Sequence, residues 1–230
     1  MKLRTAGRPL VVAHRGASAE AAENSLAAVE LAVAAGADLV EIDVSPGLVV
    51  THDAGASGPA LDEVLELLAP TPAGVHADLK ATGYEQAVVD ALDRHGLRDR
   101  ALVSTAYAAS GRRVRALAPE LPVAIGYPRD RLGVSGLPWP SWLVLPGAAV
   151  VRALMPLRVP LLLAAGRANV LALHHGLCSA AAIAAAHRRH APVLVWTVDE
   201  PDEIRRFAAL GVDGIVSNDP KIAVATLIGP

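Results

Sequence analysis

Two kinds of segment alternate along almost the whole chain: short apolar, β-branched runs, and Ala/Leu-rich stretches of helical period. The runs are LVVAH (10–14), LVEIDVS (39–45), GLVVTH (47–52), GVHADLK (74–80), ALVST (101–105), PVAIGY (122–127), ANVLALHH (168–175), PVLVWTV (192–198) and GIVSND (214–219). Helical stretches between them include NSLAAVELAVAAG (24–36), which opens on an Asn/Ser cap and closes on Gly36, and PDEIRRFAALG (201–211), which closes on Gly211. Strands that are apolar between their ends suit a parallel sheet covered by helices. About eight such β/α units in 230 residues predict a (β/α)8 TIM barrel forming a single domain over 1–230. No repeat, linker or low-complexity tract divides the chain.

A formal net charge of -2 leaves no general basic surplus for phosphate neutralisation, so no nucleic-acid partner is expected and any anionic ligand must be recognised locally. The lone Cys178 has no internal disulfide partner. The apolar run before His14 and Arg15 is too short for a signal peptide, and a cytoplasmic location is expected. Residues 142–166, WLVLPGAAVVRALMPLRVPLLLAAG, have the length of a membrane span, but Arg152, Arg158 and three prolines argue against one. Two readings stay open for this segment: a buried barrel helix, or an apolar lip beside the mouth in peripheral contact with lipid.

In a barrel of this kind the chemistry sits at the C-terminal ends of the strands, and the charged residues of the apolar runs fall there. His14 ends the first run. Glu41 and Asp43 lie two apart in the second, so period-2 alternation sends both carboxylates to the same side, their Cα atoms roughly 7 Å apart. His76, Asp78 and Lys80 repeat the spacing on a later strand. Inward-facing, unpaired carboxylates are costly unless a divalent cation sits among them. His76 lies deeper than Asp78 and reads as a hydrogen-bonded structural residue. His174 and His175 are candidates for the mouth, and His95, His187 and His190 read as surface residues.

HRG (14–16), AEN (22–24), GADLVEIDV (36–44), THD (51–53), ADLK (77–80), WTV (196–198) and GVDGIVSNDP (211–220) occur in an order that resembles the glycerophosphodiester phosphodiesterases. The resemblance implies a TIM barrel that hydrolyses glycerophosphodiesters to sn-glycerol 3-phosphate and an alcohol, using one Mg2+ or Ca2+ and a histidine pair. Residue by residue, it implies His14 and His52 as the acid/base pair and Glu41, Asp43 and Asp78 as metal ligands. It implies Arg15 and Lys80 as phosphate contacts, Glu23 as a residue that helps hold the site, and Trp196 as an aromatic border to the substrate. Its family picture has a neighbouring glycerol hydroxyl attack first, giving a cyclic phosphate that water opens.

Three departures from the family pattern stand out. The turn between the carboxylate strand and the second histidine is shortened to SPGLVV, and the third ligand is Asp78 where glutamate is usual. The chain also passes from Asp53 through AGASG toward the next helix without the usual insertion, so an uncapped mouth is expected. These leave two further readings open: a lysophospholipase D-like activity on lipid phosphodiesters, and a barrel that has lost catalysis and binds a phosphorylated ligand. Three carboxylates, a divalent ion, Arg15 and Lys80 together carry about +1, which suits a phosphodiester monoanion. The oligomeric state is not legible in the sequence.

Overall fold

The computed structural model describes residues 7–53, 55–128 and 141–229. Among them run strands β1 (Leu10–Ala13), β2 (Leu39–Ser45), β3 (Val49–Val50), β4 (Gly74–Leu79), β5 (Ala101–Thr105), β6 (Val123–Tyr127), β7 (Val170–His174), β8 (Val193–Trp196) and β9 (Gly214–Ser217). The helices are α1 (Leu26–Ala34), α2 (Leu61–Leu68), α3 (Glu85–Arg94), α4 (Ala108–Leu117), α5 (Ser141–Gly166), α6 (Ala180–His187), α7 (Pro201–Ala209) and α8 (Pro220–Ile228). β1 pairs in parallel with both β2 and β9, and the pairing continues through β8, β7, β6, β5 and β4 back to β2. Eight parallel strands therefore close into a TIM barrel, as the alternation of apolar runs and helical stretches predicts.

Strand alternation sorts the core into two layers. Val40, Ile42 and Val44 of β2 pack outward beneath the helices, together with Val75, Ala77 and Leu79 of β4 and the large buried side chain Phe207 of α7. The opposite parity points into the barrel, where Leu10, Val12, Leu39, Leu102, Val170, Leu194 and Val216 form a separate apolar cluster. This plug fills the barrel below its mouth, so the polar residues of the same parity stand on a dry floor. Glu41 and Asp43 share that inward parity, as do His76, Asp78 and Ser104.

The run GLVVTH does not become a barrel strand. Only Val49–Val50 is extended, pairing antiparallel to the end of β2 through Val44↔Val50 and Ser45↔Val49. Pro46 and Gly47 turn the chain back at once, with Gly47 at φ 85° and Leu48 at φ 58°. The short turn returns the chain to the mouth, where the Thr51 N–H donates to the Asp43 carbonyl at 2.9 Å.

The reading of residues 142–166 as a buried barrel helix holds for one face only. Met155, Val159 and Leu163 of α5 are buried at four-residue spacing, while Val150, Leu154, Leu157 and Leu161 face outward and are exposed. The side chains of residues 141–146 and 148 lie outside the described set. Ala149–Gly166 is the one described stretch of helix long and apolar enough to cross a membrane by length and composition.

Candidate active site

Asp43 is the centre of the mouth. Its side chain is fully buried at the end of β2, and the cross-strand register sets Asp43 beside Asp78 and Asp78 beside Ser104 in one row over β2, β4 and β5. A buried carboxylate is tolerated only with close compensation, and four side chains supply it. Arg15 Nε lies 3.0 Å from Asp43 Oδ2, and His52 Nδ1 lies 2.9 Å from the same oxygen. Lys80 Nζ makes an ion pair with Asp43 Oδ1 and lies 2.6 Å from Asp78 Oδ2. Asn24 binds Asp43 twice: its amide donates to Oδ2 at 3.2 Å, and its Oδ1 accepts the Asp43 backbone N–H at 2.9 Å.

Charge follows from this packing. Burial alone would raise the pKa of Asp43, but the His52 hydrogen bond, Lys80 and Arg15 outweigh it and hold the carboxyl well below its usual range. Glu41 goes the other way: burial, then the neighbouring Asp43 charge, push its carboxyl well above the ordinary value. Burial also opposes the charge of Lys80, yet Asp78, Asp43 and Glu41 prevail and raise its pKa. One oxygen from each of Glu41, Asp43 and Asp78 lies within 4.8 Å of the others, a spacing that can hold a divalent ion. Asp43 Oδ1 meets the Lys80 ammonium, which also contacts Asp78 Oδ2, so positive charge already stands between two of the three carboxylates. The raised pKa of Glu41 fits as well, since burial is its main cause but a cation among the three would offset the part that comes from the Asp43 charge.

The loop after β1 brings the remaining groups in. Arg15 adopts φ 54° and Gly16 φ 80°, a left-handed pair that aims the Arg15 N–H at Glu41 Oε2, 2.7 Å away. A Cβ at Gly16 would stand 2.6 Å from the Ala28 backbone, so HRG needs its glycine for conformation and for close approach to α1. The Arg15 guanidinium is also held by Glu23, Nη1 to Oε2 at 2.6 Å. Glu23 is more exposed than Arg15 and fixes that side chain from the solvent side. Trp196 ends β8 half-buried on the apolar plug, its ring edge-on to His174 with centroids 5.1 Å apart.

His14 lies against Asn218, Nδ1 to Oδ1 at 2.7 Å. The Asn218 amide is oriented by donation to Asp199 Oδ2 at 2.8 Å, so its oxygen faces His14 and the proton sits on Nδ1. His14 Nε2 is then the basic nitrogen. Burial is the main cause that lowers the His14 pKa, partly offset by Asn218. His52, exposed at the rim, is oriented through the same nitrogen by Asp43. Beside His14 and Glu23 a cavity of about 510 Å³ opens to solvent, lined by Ser18, Asp199, Glu200 and Asn218 among others. It flanks the carboxylate cluster rather than enclosing it.

All nine residues expected at the site lie at the barrel mouth, and seven of them join one contact network around Asp43. His14 is tied to Asn218, and Trp196 stands at the end of β8 against His174. His76 is the hydrogen-bonded structural residue anticipated from its depth: Nε2 meets Ser104 Oγ at 2.7 Å, and burial lowers its pKa to about 4. Ser104 in turn donates to Asp78 Oδ1 at 2.5 Å. His187 differs from expectation, because its Nε2 is bound to the buried Asp213 at 2.7 Å. His95 likewise packs half-buried on Asp62. The roles of Asn24, Ser104, Asp199 and Asn218 are absent from the sequence reading. Asn24 and Asn218 stand inside AEN and SNDP, so a signal was present, but an amide's partner is set by folding and no spacing reveals it.

A barrel mouth with three convergent carboxylates, two imidazoles and two cations defines a TIM-barrel hydrolase acting on an anionic ester. The model of the glycerophosphoryl diester phosphodiesterase family matches residues 14–67 and 71–222, and the chain belongs to that family. A glycerophosphodiester phosphodiesterase of Caldanaerobacter subterraneus subsp. tengcongensis is 25% identical over 260 residues, covering 94% of this chain and 97% of the relative. A phosphodiesterase of Oleispira antarctica, solved in complex with the product sn-glycerol-3-phosphate, shares the fold with a TM-score of 0.73 at 21% identity, covering 95% of this chain and 96% of that one. A glycerophosphodiester phosphodiesterase of Agrobacterium tumefaciens shares it with a TM-score of 0.69 at 22% identity, covering 94% and 99%.

The double contact of Asn24 with Asp43 yields a test. Asn24→Ala removes two hydrogen bonds to a buried charged residue and places alanine at φ 60°. It should cost about 2–4 kcal/mol in urea-unfolding free energy, against about 0.5 kcal/mol for a surface substitution.

Proposed function

We propose that the chain hydrolyses glycerophosphodiesters to sn-glycerol 3-phosphate and an alcohol by histidine acid/base catalysis at a divalent-ion site. The observation that carries this reading is the convergence of Glu41, Asp43 and Asp78 between two oriented imidazoles. The three carboxylates would hold the ion, Mg2+ or Ca2+, which supplies charge neutralisation at the phosphoryl oxygens when bound. Arg15 and Lys80 present fixed positive charge to the same oxygens. His14, neutral because it is buried, accepts the proton of the attacking hydroxyl at Nε2 as the new P–O bond forms. His52, held through Nδ1 by Asp43, donates a proton from Nε2 to the leaving alcohol oxygen as the old P–O bond breaks. If the attacking group is the neighbouring glycerol hydroxyl, the two imidazoles exchange roles and water opens the cyclic phosphate.

A lysophospholipase D-like activity is the second reading, favoured by the exposed apolar face of α5. An inert phosphate-binding barrel is disfavoured, because His14 and His52 are each held by Nδ1 with no hydrogen-bond partner for Nε2 among the described residues.

Activity on glycerophosphocholine should vanish in excess chelator and return with Mg2+ or Ca2+. Glu41→Gln and Asp43→Asn should each lower kcat by about 10³ or more while the circular dichroism spectrum stays native. Full turnover in chelator would refute the ion site.

His14→Ala and His52→Ala should each lower kcat by about 10²–10⁴, with the double variant losing far less than the product of the two. Multiplicative losses would show that the imidazoles do not work as a pair.

Residues 55–58 between His52 and α2 are small and exposed, so they make no lid over a leaving alcohol. Values of kcat/KM for glycerophosphocholine, glycerophosphoethanolamine and glycerophosphoglycerol should therefore lie within about tenfold. A preference of about a hundredfold for one alcohol would assign specificity to another segment.

A further inference from the structure

The net charge of -2 conceals a strong asymmetry. Residues 101–198 contain ten arginines and no lysine against two acids, Glu120 and Asp130. That stretch supplies α4, α5 and α6, which pack side by side with α5 in the middle. Helix α7 faces water with mixed charge, its Asp202 and Glu203 paired to Arg205 and Arg206, and α2 and α3 carry acids as well. α5 does not: its 26 residues include no acid at all.

The outward face of α5 is apolar. Val150, Leu154, Leu157 and Leu161 recur at spacings of four, three and four, which places them on one stripe opposite the buried Met155, Val159 and Leu163. Val150 is 59% exposed, Leu157 72% and Leu161 70%. Single exposed leucines are ordinary, but a continuous stripe on the longest helix is not. Arginines frame it. Arg112 of α4 is exposed on one flank and donates to the Ala165 carbonyl at 2.6 Å, Arg167 is exposed at the foot of α5, and Arg188 and Arg189 are exposed at the end of α6. Arg158 stacks on Tyr127 and donates to its hydroxyl, placing a further cation where the stripe approaches the barrel mouth.

We propose that this face docks on an anionic bilayer, with the stripe entering the boundary between headgroups and acyl chains and the arginines contacting lipid phosphates. Charge selects this occupant over a second copy of the chain. A symmetric dimer across the face would set one arginine frame against another, with no acid on α5 to pair with them. The inference goes beyond hydrolysis itself and does not depend on the ion site.

The test uses the full chain and vesicles of phosphatidylcholine with or without phosphatidylglycerol, read by co-sedimentation. The chain should bind the anionic vesicles and leave them as salt rises. Leu157→Glu/Leu161→Glu and the uncharged Leu157→Ser/Leu161→Ser should each weaken binding about tenfold or more, with kcat/KM on soluble glycerophosphocholine unchanged. Soluble turnover reports on the proposed chemistry, so its loss is read separately from a loss of vesicle binding. The proposal is overturned if the chain ignores anionic vesicles or if both variants bind like the parent. It is equally overturned if light scattering finds a dimer that the variants dissolve, which would make a second copy the occupant.

Discussion

Most of the mouth is arranged around one buried negative charge. Asp43 is inaccessible to water, and a carboxylate in that position would be expelled or protonated without neighbours that compensate it. Arg15 and Asn24 reach it from the loop after β1, His52 from the turn after β3 and Lys80 from the end of β4, and each is fixed by the contact it makes. The ionised state of Asp43 and the positions of the groups flanking the carboxylate cluster are therefore one fact. Glu41, buried beside it and facing the Asp43 charge, is left with a raised pKa that Lys80 only partly offsets, so the cluster favours further positive charge.

Support continues outward in layers. Ser104 joins Asp78 to His76, whose neutral ring is buried in the barrel with Nδ1 unpartnered. Asp199 orients Asn218, which orients His14. In both chains a group on a neighbouring strand or loop sets the direction of a site residue, which limits its rotamer freedom at the moment of reaction. Below them the apolar plug excludes water, so these hydrogen bonds act in a medium of low polarity.

Two features separate the mouth from its surroundings. The two-residue β3 returns His52 to Asp43 by the shortest route, and the exposed stretch before α2 adds nothing above it. On one flank α5 presents an apolar, acid-free surface, while helices such as α2 and α7 carry acids in their first turns. The same barrel thus combines a charge-dense opening with an apolar outer wall.

The alternation of apolar runs with helical stretches determined the barrel, because period-2 strands buried on both faces have few other ways to satisfy their backbones. The spacing of Glu41 with Asp43, and of His76 with Asp78, determined which side chains share the interior, since that parity is a property of any strand. Tertiary structure alone decided the rest. GLVVTH reads as a strand, yet Pro46 and Gly47 at the end of β2 leave it two residues to pair. His187 reads as a surface residue, but α6 lays it on the buried Asp213. Asn24 and Asn218 became site residues only when closure brought β1, β2 and the loop after β9 together. The raised pKa of Glu41 arose in the same way, from neighbours and burial that no local sequence contains. Parity and period are local and survive in the sequence, whereas hydrogen-bond partners and desolvation belong to residues far apart in the chain and exist only after the barrel has closed.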